Sequence, residues 1–329
     1  MRRLLVVLLA AVLIAAGGAG LWFWSYLTSA PEGRDEVVVV IPRGTGVRGI
    51  GAILSARGVL EDDIRYLAYV HFAGLTTRLK AGEYSIPAGL TPPEVLRLLA
   101  TGATLRHQVT VPEGLRLEQV AEIFARGGWV ERDRFLTLAR DPGFIAGLGL
   151  AVEHLEGYLF PETYTLLRHE TDAASVLRLM VAQFEREWAK IRPAQPGPMI
   201  RHQLVTLASI VEKETGVAEE RPLIARVFLN RLARSMRLQS DPTVIYGLAD
   251  FSGNLTRNHL RQATPYNTYV IPALPPGPIC SPGQAALEAV LRPAESNALY
   301  FVSKNDGTHV FSTNLADHNR AVRTYQKTR

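Results

Sequence analysis

Residues 4 to 27 carry no charged side chain, and this run of 24 residues limits the chain more than any other feature. As a helix it is long enough to cross roughly 30 Å of hydrocarbon. Trp22, Phe23, Trp24 and Tyr26 close it, an aromatic cluster of the kind that sits at a membrane interface. Arg2 and Arg3 precede it, which predicts a cytoplasmic N-terminus and places everything after residue 30 outside the membrane. The competing reading is a cleaved signal peptide, since Thr28-Ser29-Ala30 loosely resembles a cleavage site. The apolar run is longer than a usual signal core, and Pro31 follows directly, so a retained single-span anchor is the favoured expectation. Both readings export the rest of the chain. Cys280 is the lone cysteine, so no intramolecular disulfide can form and the exported part must be held by packing.

At 329 residues the chain is too long for one typical core, and its hydrophobic content of 47% argues for folded units rather than disorder. The net charge of +5 comes from scattered arginines rather than a basic run. Nucleic-acid footprints cluster, so no nucleic-acid partner is expected; anionic surface polymers or lipids are compatible with the charge.

Three stretches between the anchor and residue 140 share one pattern of strand, Pro-x-Gly turn, helix and glycine stop. The first runs from Val37–Ile41 through Pro42-Arg43-Gly44 to Gly58, and the second from Tyr84–Ile86 through Pro87-Ala88-Gly89 to Gly102. The third runs from Val109–Val111 through Pro112-Glu113-Gly114 to Gly127. The prolines of the first and third copies are seventy positions apart, and Gly58 matches Gly128 at that offset. The strand–helix order resembles a LysM-like module, a small fold used to bind N-acetylglucosamine polymers; the alternative is a spacer. The stretch "HLEGYLFPETY", residues 154–164, then sets Tyr158, Phe160 and Tyr164 around Glu156 and Glu162. Aromatic faces beside carboxylates suit sugar rings, and equally suit a packed corner. The "PAQPGP" stretch from Pro193 reads as a loop.

The segment "SIVEKETG", residues 209–216, extends an apolar run into two glutamates. On a helix Leu204, Leu207, Val211 and Glu214 form one stripe, with Glu212 on its flank. A carboxyl on the inner face, at the negative end of the helix dipole, is pushed towards its protonated form. That is what a general acid for glycosidic cleavage requires. The plain alternative is a helix end in solvent with two ordinary carboxylates.

The residues that follow add polar and aromatic groups of the kind a polysaccharide groove uses. "RLQSDPTVIYG" carries Gln239 and Asp241; "TPYNTYVIPALPPGPICSPG" carries Tyr266, Asn267 and Tyr269 before a proline-rich stretch that reads as a rigid loop. "YFVSKNDGTHVFSTNLADHNR" reads as a hairpin turning at Asn305-Asp306-Gly307. No G-x-S-x-G or HExxH is present, and the eight histidines show no metal spacing, so no metal or cofactor is expected.

Taken together, "LASIVEKETG", "RLQSDPTVIYG", "TPYNTY" with "LPPGPICSPG", and "YFVSKNDGTHVFSTNLADHN" make the chain resemble the endolytic murein transglycosylases of the MltG, or YceG-like, family. The resemblance implies an α+β chain: a cytoplasmic tip and anchor over 1–30, LysM-like modules over 31–140, and a catalytic domain over 141–329. It implies Glu214 as the catalytic acid and peptidoglycan glycan strands as substrate. The expected product is a 1,6-anhydro muramoyl end, and the expected partners are penicillin-binding synthases on nascent strands. Gln239, Asp241, Tyr266, Asn267, Tyr269 and Glu162 are the candidates for holding the sugar. Two rival readings stand beside this one. One is a hydrolase using Glu214 with Asp241, although Asp241 precedes proline and equally suits a turn; the other is a glycan-binding scaffold without activity.

Overall fold

The computed structural model describes residues 2–31, 35–168, 170–192, 197–249 and 251–326, with the side chain of Arg2 excepted. The loop expected from Pro193 lies largely outside the described residues. The chain is mixed α+β with small two-stranded sheets, and it divides into two compact units. Unit 1 comprises residues 1–108 and 165–171; unit 2 comprises 109–164 and 172–329. The boundary expected at residue 140 falls inside unit 2, and the third copy of the strand–turn–helix pattern belongs largely to that unit.

Unit 1 begins with α1 (Arg2–Thr28), whose stretch from Arg3 to Thr28 is long and apolar enough to cross a membrane, with a mean hydropathy of 2.7. Its end is built into the unit. Tyr26 is buried in the core and donates from its hydroxyl to the Glu61 carbonyl at 3.2 Å. The Arg65 guanidinium lies 4.7 Å from the Trp22 ring and 4.9 Å from the Tyr26 ring. The strands β1 (Val37–Ile41) and β2 (Gly82–Ile86) pair antiparallel with Val39 opposite Tyr84. Alternation along them sends Val39, Ile41, Tyr84 and Ile86 into a core completed by α2 (Val47–Ala56), α3 (Ile64–Phe72) and α4 (Pro92–Thr101). Two copies of the pattern thus pair strand to strand.

Copy three starts at β3 (His107–Thr110), which pairs with β4 (Thr163–Leu166), and continues into α5 (Leu117–Arg126) and α6 (Arg132–Leu138). The offset of seventy is visible in hydrogen bonds. Val59 N donates to Leu54 O at 2.9 Å, and Trp129 N to Phe124 O at 3.0 Å. Each bond follows a left-handed glycine, Gly58 or Gly128, both at φ +65°. A side chain would strain that conformation, which explains why glycine recurs there. In the third copy Gly127 stays right-handed, and its neighbour Gly128 makes the reversal.

Unit 2 continues with α7 (Pro142–Gly147), α8 (Ala173–Ile191), α9 (Arg201–Glu214), α10 (Arg221–Ala233), α11 (Asp241–Gly247), α12 (Arg257–Arg261) and α13 (Gln284–Leu291). The strands β5 (Tyr300–Ser303) and β6 (His309–Ser312) then form the expected antiparallel hairpin, and α14 (Leu315–Gln326) follows. Asn305 and Gly307 take φ of +63° and +90° in the turn. The centre of the unit is α9, whose residues 205–211 are all buried, with α10, α11 and α13 packed around it. Its surroundings explain why polar Thr206 and Ser209 occur inside: Thr206 Oγ1 donates to His202 O at 2.8 Å. Ser209 Oγ donates to Thr206 O at 2.7 Å and accepts from Ile279 N at 3.0 Å. Gly157 lets the "EGYLF" segment reach this core, since a Cβ there would stand 2.4 Å from Pro278 Cβ.

Candidate active site

The buried helix α9 delivers two carboxylates at its C-terminal end, and they meet different fates. Glu212 is a packed ion: its Oε2 accepts from Gly283 N at 3.1 Å, and its Oε1 lies 3.4 Å from the Arg221 guanidinium. It is nearly as buried as the core, which the flank position on the helix did not suggest. Glu214 is the last residue of α9, where extended Thr215 ends the helix. Its carboxyl forms part of the wall of a cavity of about 410 Å³.

Burial pushes the Glu214 carboxyl up to about 7, opposed by a hydrogen bond from Ser240 and by the distant positive charge of Arg231, and reinforced by the negative charge of Asp241. The Ser240 hydroxyl donates to Glu214 Oε1 at 2.5 Å. Ser240 stands at the N-cap of α11, a position where serine commonly binds its own helix, yet no such side-chain bond forms here. The hydroxyl serves Glu214 instead. At neutral pH the carboxyl therefore populates both forms, the condition for giving a proton and taking one back.

The segment 237–241 and the loop that backs it supply more of the cavity wall. Arg231, buried on α10, donates to Leu238 O at 2.7 Å and to Leu299 O at 2.7 Å. Thr268 fixes the same segment from behind: Gln239 N donates to Thr268 O at 3.1 Å, and Ser240 N to Thr268 Oγ1 at 2.9 Å. Held in this way, Gln239 takes φ +54° and its exposed side chain lines the cavity. Asp241, also exposed, accepts from the Tyr269 hydroxyl at 2.7 Å, and both residues line the cavity. Burial first, then the Asp241 carboxylate, raises the Tyr269 phenol above its usual range, so it remains a donor.

The structure thus brings Glu214, Gln239, Asp241 and Tyr269 together, and places the other three candidates elsewhere. Asn267 is fully buried and acts on backbone: its Nδ2 donates to Gln262 O at 2.7 Å and Leu260 O at 3.2 Å, and its Oδ1 accepts from Tyr269 N at 2.9 Å. It shapes the loop that presents Tyr269. Tyr266 packs against Tyr246 at 4.6 Å between ring centres and lines a separate cavity with His154 and His202. Glu162 is exposed and accepts from Thr163 N at 2.9 Å.

Several residues of the site escaped the sequence reading. Ser240, Arg231, His309 and His318 all lie at the Glu214 carboxyl or along the cavity wall. The His309 ring and backbone are held by Glu220, with Nδ1 2.6 Å from its Oε2 and the backbone N 2.8 Å from Oε1. His318 stacks on Tyr300 at 5.1 Å, and burial lowers its pKa, keeping the ring neutral. Both histidines fall in the motif around the hairpin, which was the available signal.

A buried helix ending on a carboxyl with a raised pKa, in the wall of a cavity also lined by amide, carboxylate and phenol groups, describes a site suited to acid–base chemistry on a polar substrate. The comparisons then give the lineage. The YceG-like family model matches residues 39–324, and the chain belongs to that family. The chain is 32% identical over 326 residues to an endolytic murein transglycosylase of Bacillus subtilis, covering 94% of this chain and 90% of that protein. It is 30% identical over 331 residues to an endolytic murein transglycosylase of Streptococcus pneumoniae, covering 91% of this chain. The matched part spans 60% of the length of that streptococcal relative. The crystal structure of a YceG-like protein from Listeria monocytogenes is similar at a TM-score of 0.56 and 33% identity, covering 87% of this chain and 99% of that one.

Proposed function

We propose that the chain is a membrane-anchored, endolytic lytic transglycosylase of peptidoglycan, a carbon–oxygen lyase that cuts the β-1,4 bond between N-acetylmuramic acid and N-acetylglucosamine without water. The observation that carries this reading is the Glu214 carboxyl, poised at about 7 on the wall of an open cavity at the end of a buried helix. The names of the relatives support the substrate class.

Protonated Glu214 gives its proton to the glycosidic oxygen as the bond from that oxygen to the muramoyl C1 breaks. The resulting carboxylate faces the cation-like C1 centre and takes the proton from the C6 hydroxyl of the same sugar. The C6 oxygen bonds to C1, the 1,6-anhydro ring closes, and Glu214 is again a carboxylic acid. Nothing is consumed, which is why one carboxyl suffices where hydrolases use two. Ser240 steadies the transient carboxylate, while Gln239, Asp241 and Tyr269 orient the sugar.

In this reading α1 is retained, with its N-terminus cytoplasmic and both units on the outer face. Tyr26 supports retention, because cleavage after Ala30 would remove a core residue of unit 1. The strand–turn–helix copies of unit 1 are taken as LysM-like glycan holders, and nascent strands from penicillin-binding synthases as the natural substrate. A second reading rests on Asp241, an exposed carboxylate in the same cavity as Glu214, and makes the enzyme a hydrolase.

The test incubates the full chain in detergent with peptidoglycan, beside Glu214→Gln, and reads the new ends by mass spectrometry. Anhydro ends from the wild type alone are expected. Reducing ends, one water heavier, would move Asp241 to the centre, and binding without cleavage by the wild type would leave a scaffold.

A further inference from the structure

A second and larger cavity, of about 980 Å³, lies within unit 2 beside the Glu214 site. Consecutive residues divide between the two. On α9 Glu214 lines the first cavity and Lys213 the second; on α11 Asp241 lines the first and Pro242 the second. The remainder of the second wall includes Arg116, Tyr246 and Phe251.

Its charge differs from that of the first cavity. The Arg116 guanidinium lies 5.0 Å from the Tyr246 ring and is half-buried; Lys213 is exposed and its Nζ donates to Gly114 O at 3.2 Å. Among the described residues neither cation forms an ion pair. Glu118, the acidic residue on this wall, is already engaged by Arg140. Two cations with unused donors therefore flank an aromatic surface, next to a cavity walled by carboxylates. Uncharged sugars give no reason for such cations. A carboxylate-bearing group does, since charged hydrogen bonds from Arg and Lys to carboxylates are among the strong ones.

We infer that this second cavity binds the acidic peptide stem carried by the muramoyl residue at or beside the scissile bond, with Arg116 and Lys213 taking its carboxylates and Tyr246 and Phe251 its apolar side chains. The site would make the enzyme selective for stem-bearing strands over stripped ones. This inference rests on the peptidoglycan reading above, and it goes further in assigning the peptide a site of its own.

The test measures binding of glycan strands with and without peptide stems to the full chain carrying Glu214→Gln, which prevents turnover. Arg116→Gln and Lys213→Gln are then added singly and together. Stem-bearing strands should bind more tightly, and each substitution should lower the ratio of the two affinities by about tenfold to 100-fold, the scale of one lost charged hydrogen bond. Raising the salt should lower the ratio in the parent protein and less in the double variant. Arg116→Lys, which keeps the charge, should restore most of it, and that separates recognition from any loosening of Tyr246. Equal affinity for both strands, or an equal loss on both, would overturn the inference. Cleavage of stem-bearing strands by the wild-type chain, read separately, shows whether the transglycosylase reading itself survives.

Discussion

Among the described residues of unit 2, desolvation raises the carboxyl groups of Glu156 and Glu214 furthest, and of these two Glu214 lines a substrate-sized space. Glu156 is fully enclosed at the N-terminus of α5, where both of its oxygens accept from Leu117 N at 3.1 Å and Oε2 also accepts from the Tyr246 hydroxyl at 3.2 Å. Burial pushes it up to about 8 despite those donors. Glu214 sits at the opposite kind of helix end, has the single side-chain donor Ser240, and is pushed up to about 7. A helix N-terminus favours a carboxylate and a C-terminus disfavours it, yet Glu156 is raised further. Desolvation outweighs the helix end at Glu156 and acts in the same direction as the helix end at Glu214. A perturbed pKa thus marks burial; access to a cavity is what distinguishes a reacting group from a structural one. Glu156 ties the start of α5 to α11 through Tyr246, and α11 carries Asp241 at its first turn.

The comparison breaks most sharply on two substitutions. Glu214→Gln should lower kcat by at least about 100-fold, the usual scale for a lost general acid, while leaving the unfolding midpoint near that of the wild type. Glu156→Ala should do the reverse. It strands a buried N–H and a buried hydroxyl and should cost about 1–3 kcal/mol of stability by denaturant unfolding, with part of the activity kept. If Glu156→Ala proved as inactive as Glu214→Gln yet fully stable, the assignment of roles would be wrong.

The stability of the protein against pH gives a smaller effect with a fixed sign. Both groups hold protons in the folded state that they release, when unfolded, above the ordinary value of 4.5. Their stabilising contribution is complete below 4.5 and is lost as pH rises through about 7 for Glu214 and about 8 for Glu156. The loss proceeds at up to about 1.4 kcal/mol per pH unit for each group. Glu156→Gln should flatten the upper part of that decline in chemical denaturation across the range. Ser240→Ala should have a smaller effect still. It removes the bond that lowers the Glu214 pKa, so the alkaline limb of activity should move to higher pH. Tyr269→Phe should change least, weakening substrate binding a few-fold through Asp241, as KM would report.

Much of this was legible because it is local. An uncharged run specifies α1, glycines repeated at an offset of seventy specify the reversals after α2 and α5, and Asn305-Asp306-Gly307 specifies the hairpin. The stripe that ends on Glu214 placed that residue at the inner face of α9. The rest depends on partners distant in sequence. Asn267 has the amide expected of a sugar ligand, but which carbonyls surround it is decided by α12 and the turn after it. Glu212 reads as a flank residue until Gly283 and Arg221 arrive from elsewhere in unit 2. The "EGYLF" segment suits a sugar platform and a packed corner equally in sequence, and packing encloses Glu156, Tyr158 and Phe160 together. Ser240 was hidden for a different reason: serine before Asp-Pro is an ordinary helix cap, and its diversion to Glu214 follows only from the approach of α9 to α11.

The most direct test of the account is the pH dependence of kcat/KM on glycan strands, which reports the free enzyme's essential acid. The account predicts an activity that declines through a single limb near the value of about 7 held by Glu214. It also predicts that the limb moves upward in Ser240→Ala. Activity that stays level well into the alkaline range, or a limb at the ordinary carboxylate value of 4.5, would show that the C-terminal end of α9 does not supply the proton.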